Sequence, residues 1–477
     1  MRSSPFRHTG VERIPNPVAP AVDSNTNRPG LSRALRLSDA SVIVIANMIG
    51  AGIFTTSGLL LRELGSPIMM IGLWIAGGFL ALCGAFCYGE LGAAMPRAGG
   101  EYAYLTELFH PLLGFLTGWV SLVVGFSAPL AATAIGFSAY IGRAFPGLLE
   151  LGGGGVAMKV LAVAIIAALA AIHLHGVAFG ARVQNWLTGG KVFLIVSCIV
   201  VGFSFGSGDL GNLLRRTDLS TDAVGWRAIG LSLMWIMFAY SGWNASAYVG
   251  SEIRDPQRTL PRSLLVGTGT VIAIYLGINL LFVYAAAPDD SKGVIAIGGL
   301  AASQLFGAGA ERIVSIVIGF ALVSSISALI MLGPRVYYAM ARDGCFFGAI
   351  GEVDPESRVP AKSIMLQCLI AVIMVLTGTF EQILTFMGFC LGIFPIAAVL
   401  GVFKLRRRPE AVRSIPAYPL PPIIFALTSF AILVLAYLER PLESSVALAT
   451  VGAGIPFYYL FTRHHRADGA AGKDDAP

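Results

Sequence analysis

The sequence predicts an all-α polytopic membrane protein with 12 transmembrane helices. Of the 477 residues, 56% are hydrophobic and only 13% charged, about half the charged fraction usual in a soluble domain. The mean hydropathy is +0.75. The apolar residues also fall into repeated windows of about twenty, too many for one buried core and long enough to cross a bilayer. Two of those windows are interrupted by small residues, which predicts how the helices are arranged.

The spans are expected at 39–61, 68–92, 109–141, 156–176, 184–205, 228–250, 263–287, 311–340, 361–379, 382–403, 420–438 and 445–462. Residues 1–38 carry Pro, Asn and Arg without an apolar run, so they are expected to be a disordered cytosolic tail rather than a signal peptide. Residues 463–477 are expected to form a second cytosolic tail. With both ends inside, most of the 33 basic residues fall on the cytosolic side, as the positive-inside rule requires. The formal charge of +6 is therefore assigned to topology in a cell inner (plasma) membrane and not to nucleic acid. Arg406–Arg408 then reads as a solvated, orienting loop.

The first span contains Gly50-Ala51-Gly52. Glycine weakens a helix and permits close backbone approach. A helix broken at bilayer depth is tolerated only where its unpaired backbone faces protein, a cavity or a ligand. In the second span, Gly77-Gly78 and Gly84 suit close helix packing. Glu90 near its cytosolic end reads either as an interfacial carboxylate or as part of a gate. Tyr102 and Tyr104 read as interface aromatics. The third segment is long for one span, so it tilts or begins as an interfacial helix, and Pro129 is placed to bend it.

His173 and His175 stand two apart on the fourth segment and do not share a helix face, so no metal site is expected there. Lys191 lies about seven residues into the fifth span, roughly 10 Å of helix rise. An intramembrane amine must pair, face a wet cavity or snorkel to the interface. The sixth span is again interrupted, at Ser241-Gly242, and leaves through a charged loop containing Glu252, itself a candidate gate residue. Five spans separate the two breaks, and an odd number per repeat inverts the second repeat. Paired broken helices in corresponding positions point to a transport site near midplane. The predicted division is 39–205, 228–403 and, outside the five-plus-five core, 420–462. In the eighth span, Ser324, Ser325 and Ser327 either bond back to their own helix or face the first. The six cysteines show neither metal-ligand spacing nor a disulfide framework, no cofactor site emerges, and no nucleophile–base pair suggests an enzyme.

The motifs IGAGIF (49–54), YGELGAAMPRAGGEYAY (88–104), ARVQNWLTGGK (181–191), FAYSGWN (238–244), EIRDPQRTLPR (252–262) and RVYYAMARDG (335–344) resemble those of the amino acid/polyamine/organocation (APC) superfamily, most closely its L-type amino acid transporter branch. The resemblance covers roughly 36–405. It implies a leucine-transporter-like 5+5 inverted repeat with discontinuous helices 1 and 6, working by alternating access. It further implies that the amides of Gly50, Ala51 and Gly52 hold a substrate carboxylate. Carbonyls near Ile49 and around Phe238, Ala239 and Ser241 would hold the ammonium, with Phe238 as an aromatic gate. Lys191 would occupy the place of a coupling sodium ion, with Ser324 and Ser327 as partners. The expected activity is sodium-independent transport of neutral L-amino acids, most simply as an exchanger. Proton-coupled symport and polyamine or other organic-amine transport are the alternatives. Ala51 stands where the family commonly has serine. Residues 142–155 contain no cysteine, so no disulfide-linked heavy subunit is expected.

Overall fold

A computed structural model describes residues 35–96, 99–150, 155–174, 177–215, 225–342, 345–352, 354, 359–409 and 413–471. Residues 1–34 and 472–477 of the expected tails, and His175, lie outside these residues. The described chain is helical, and nine of its helices are long and apolar enough to cross a membrane.

The first span is α1 (Leu37–Met48), then α2 (Ala51–Thr55), which runs on through the helical Thr56 into α3 (Ser57–Leu64). It closes at Gly65, whose φ of 59° is a left-handed helix stop. Ser66 then caps α4 (Pro67–Ala94), its side chain accepting from the Met69 amide. The expected close packing of α4 is seen: a Cβ on Gly77 would lie 2.5 Å from Ile236, and one on Gly84 2.7 Å from Trp243.

The long third segment is divided. α5 (Glu101–Leu108) is a separate short helix, and α6 (Pro111–Val120) starts after a turn at Phe109 and His110. A π-helical stretch, Ser121–Ser127, joins α6 to α7 (Ala128–Ala144). This wide turn sits just before Pro129, which has no amide to donate, and the Ser127 hydroxyl donates to the Leu122 carbonyl five residues back at 2.7 Å. Tyr104 is fully buried against Tyr88, 6.0 Å between ring centroids, so it is a core residue and not an interface aromatic.

After α8 (Gly147–Glu150) come α9 (Gly155–Leu174) and α10 (Val177–Phe205). The sixth span is α11 (Trp226–Ala239) and α12 (Ala245–Tyr248). α13 (Pro256–Ala285) begins earlier than expected, and Pro261 lies inside it. Two short helices, α14 (Pro288–Ser291) and α15 (Ile297–Phe306), precede α16 (Ala308–Arg342). The remainder is α17 (Ala361–Thr377), α18 (Phe380–Leu405), α19 (Leu420–Glu439) and α20 (Pro441–Ala471). α20 runs on through the first part of the expected tail to Ala471.

The most extensive packing is α4 on α13 and α7 on α16, and α9 also packs on α17. Large apolar side chains such as Phe193, Phe320 and Leu427 remain more than 60% exposed, the outward face expected of a protein solvated by lipid. At the end predicted to face outside, Glu381 accepts from Arg62 at 2.6 Å and from Arg440, and Arg62 also reaches Glu63 at 3.1 Å.

Candidate functional site

The two breaks lie against each other. α1 stops at Met48; Ile49 and Gly50 are non-helical (Gly50 φ −121°, ψ −155°), and α2 restarts at Ala51. α11 stops at Ala239, and the chain turns through Tyr240, Ser241 and Gly242 before α12. Gly242 has φ +94°, and a Cβ there would lie 2.9 Å from the Asn47 carbonyl carbon. Glycine meets both demands. A Cβ on Gly52 would lie 2.7 Å from the Cα of Ala239, so each break holds a glycine against the other. Gly50 differs, since a Cβ built on it meets nothing within 4 Å. It opens onto space at the junction.

An account of the backbone bonds defines what that space can hold. Among the described residues, the amides of Ala51, Gly52 and Ile53 donate to nothing, although Ala51 is 5% and Ile53 0% exposed. They are the first turn of a restarted helix, where donors lack intrahelical acceptors and the dipole favours an anion. The carbonyls of Ile49 and Ser241, at the two breaks, likewise accept nothing among the described residues. The Phe238 carbonyl accepts from the Ser241 amide at 2.8 Å, and Phe238 itself is half-buried in the last turn of α11. Asn47 donates to the Ile43 carbonyl at 2.9 Å and is otherwise exposed.

Tyr275 of α13 serves both breaks. Its hydroxyl faces the Met48 carbonyl at 2.6 Å and the Ala239 carbonyl at 3.1 Å, and it also interacts with the Gly50 backbone. No sequence pattern marks this residue, because its role depends on an approach of α13 to two helices distant in the chain. Tyr275→Phe leaves two buried carbonyls short of a donor and is expected to cost about 1–3 kcal/mol. Thermal unfolding of the purified variant measures this directly.

Lys191 of α10 is 4% exposed. Its Nζ donates to the Ser325 hydroxyl at a long 3.5 Å, its one partner among the described residues. Ser327 instead meets His173 Nε2 of α9 at 2.9 Å. Ser324 is buried on the same run. Successive positions turn about 100° around a helix, so the expected pairing with Ser324 and Ser327 is displaced to the residue between them. α16, which carries these serines, packs against both α10 and α2.

At the end predicted to face the cytosol, Glu90 is fully buried and accepts from Arg406 through both oxygens, at 2.5 and 2.6 Å. The amides of Ser414 and Ile415 add bonds at 2.8 and 3.1 Å. The Arg406 guanidinium lies 3.7 Å over the Tyr418 ring. This corrects the reading of Arg406 as part of a solvated run: it is a buried clasp between α4 and the segment leading into α19. Glu252 contributes backbone instead. Its carbonyl accepts from the Leu35 amide at 3.0 Å, while Arg254 donates to the Leu35 carbonyl at 2.9 Å. Together they hold the chain entering α1.

A further carboxyl carries no signature in the sequence. Glu101 at the start of α5, outside the spans, is 7% exposed and accepts from the Tyr88 hydroxyl at 2.7 Å and Asn244 Nδ2 at 2.8 Å. Burial raises its pKa to about 7, against the two hydrogen bonds, which lower it. In the folded state Glu101 therefore holds a proton that the unfolded chain releases near pH 4.5. Stability is expected to fall as pH rises from about 4.5 to 7 and to level off above. A melting-temperature series with Glu101→Gln should lose that slope.

An amino acid permease family profile matches residues 35–459. The chain is 29% identical to the serine/threonine exchanger SteT of Bacillus subtilis (strain 168), over 91% of this chain and 98% of that one. It is 27% identical to the human large neutral amino acids transporter small subunit 2, over 93% and 83%. The mouse Asc-type amino acid transporter 1 is also 27% identical, over 91% and 82%. A polytopic helical chain matched over nearly its whole described length, with two interlocked helix breaks at its centre, belongs to the amino acid permease family of the APC superfamily, whose members are transporters and not enzymes.

Proposed function

We propose that this protein is a sodium-independent secondary transporter of neutral L-amino acids, exchanging one for another by alternating access. The observation that carries the reading is the pairing of unmet groups at the breaks. Amides of Ala51, Gly52 and Ile53 lack acceptors beside Ile49 and Ser241 carbonyls that lack donors. An α-amino acid zwitterion supplies a carboxylate for the first set and an ammonium for the second. No Asp or Glu occurs between Ala40 and Thr55 or in α11 and α12, which favours a neutral side chain, since a buried cation without a counter-charge is costly. The buried Lys191 ammonium, bonded to Ser325 of α16, favours sodium independence, because it would repel a cation placed beside it.

Exchange follows from the same groups. Closing the site empty would bury those donors unmet, at about 1–3 kcal/mol each, whereas a bound amino acid satisfies them. Return of the loaded carrier is thus favoured over return of the empty one. The serine/threonine exchanger among the relatives supports this mode. The packing of α4 on α13, α7 on α16 and α9 on α17 supports a five-plus-five core, each pair five spans apart in a twelve-span count. In this reading residues 39–205 and 228–403 are the repeats, 420–462 lies outside them, and both termini face the cytosol of a plasma membrane. With no cysteine in 142–155, the chain works without a disulfide-linked subunit. Proton-coupled uptake is the second reading, favoured by Glu101: it grips Asn244 just past the second break, and uncovering it would release its proton.

Counterflow of all twenty amino acids into proteoliposomes, with and without sodium and a pH gradient, tests the proposal. Uptake that needs internal amino acid and ignores sodium is expected. Uptake into empty vesicles driven by a pH gradient favours the second reading, and no flux of any amino acid overturns both. Lys191→Ala is expected to slow transport by roughly tenfold or more, equivalent to about 1.4 kcal/mol, at near-normal expression. Unchanged kinetics would remove Lys191 from the coupling.

A further inference from the structure

Where α18 ends and α19 begins, a cavity of about 510 Å³ is lined by Phe403, Arg406, Arg407, Arg413 and Tyr418. The basic run beside it is largely spoken for. Arg406 is neutralised by Glu90, Arg408 pairs with Glu107 at 2.8 Å, and Lys404 lies 5.5 Å over the Phe109 ring. Arg407 and Arg413 are exposed and, among the described residues, make no ion pair. Two guanidiniums with no ion-pair partner among the described residues therefore face one cavity with aromatic walls. Such a pair presents forked donors that match phosphate oxygens.

We infer that this cavity binds the phosphate headgroup of an anionic phospholipid. The position selects a lipid over a soluble anion. The cavity stands where two helices leave the bilayer, at the end predicted to face the cytosol, and Leu400, Leu420 and Ile423 on those helix ends are 44%, 56% and 39% exposed. An acyl chain has an apolar face to follow while its phosphate sits between the arginines. Phe403 and Tyr418 are the aromatics expected at headgroup depth, and the cytosolic leaflet is the anionic one. The site also has a mechanical link. The headgroup would brace residues 413–418, and within that stretch the Ser414 and Ile415 amides hold Glu90.

The full-length protein, delipidated and returned to phosphatidylcholine nanodiscs with graded phosphatidylglycerol, provides the test. Bound phosphatidylglycerol is read by native mass spectrometry and the melting temperature in parallel. The wild type and an Arg227→Ala charge control are expected to retain phosphatidylglycerol and gain melting temperature from it. The Arg407→Ala/Arg413→Ala double variant should match their melting temperature in phosphatidylcholine alone, showing that it folds. It should bind phosphatidylglycerol roughly 30-fold more weakly. Equal retention by the double variant would overturn the site. Displacement of phosphatidylglycerol by millimolar inorganic phosphate, with the same thermal gain, would overturn the lipid assignment in favour of a soluble anion.

Discussion

Gly52→Ala is expected to abolish amino acid binding and also to destabilise the protein, whereas Gly50→Leu should abolish binding alone. The two glycines are one residue apart but do different work. The added methyl at Gly52 meets the Cα and Cβ of Ala239 at 2.7 and 2.8 Å. A backbone atom cannot rotate aside, so α2 must part from α11, at a cost of about 1–3 kcal/mol for overpacking. The side chain at Gly50 meets no protein atom, and its φ of −121° suits any residue. Leucine there would fill the open space beside the break, next to the unmet amides. Ligand-induced thermal shift, read beside the unliganded melting temperature, separates the outcomes. Normal affinity in Gly50→Leu would move the ligand to another part of the protein.

Arg406→Ala should be among the most destabilising single substitutions in the chain, at about 3–5 kcal/mol. Glu90 is fully buried, and its carboxylate would keep only the Ser414 and Ile415 amides. The stack on Tyr418 is lost as well. Combining the change with Glu90→Gln should recover part of the loss, because the double variant no longer buries a lone charge. Arg406→Lys should fall between, keeping charge without the two-pronged bond. If Arg406→Ala melted like the wild type, the pair would not be what closes this end.

Much of the site was legible because it is local. Gly50–Gly52 and Ser241–Gly242 break their helices through glycine's own properties, and repeated apolar windows mark the chain as a polytopic helical protein. What escaped is what joins distant segments. Glu90 reads as a gate candidate, but its partner lies 316 residues away in an arginine run that composition alone reads as solvated. Tyr275, Glu101 and His173 carry no local signature; each matters through a contact more than a hundred residues off, or through burial that only packing creates. Ser325 shows a finer limit. The serine run was identified, but the member that meets Lys191 depends on the rotation of α16 about its own axis.

The Tyr275 hydroxyl has one proton and two carbonyls competing for it, one at the end of α1 and one at the end of α11. The competition buffers motion. When either half-helix swings away, the proton passes to the one that stays, so the first departure forfeits little of the bond. Losing both at once would strand the hydroxyl as well as the carbonyls. In the proposed alternating-access cycle, the arrangement would favour rocking in which one break is always tethered to α13, a limited slip suited to a site that changes its opening without coming apart.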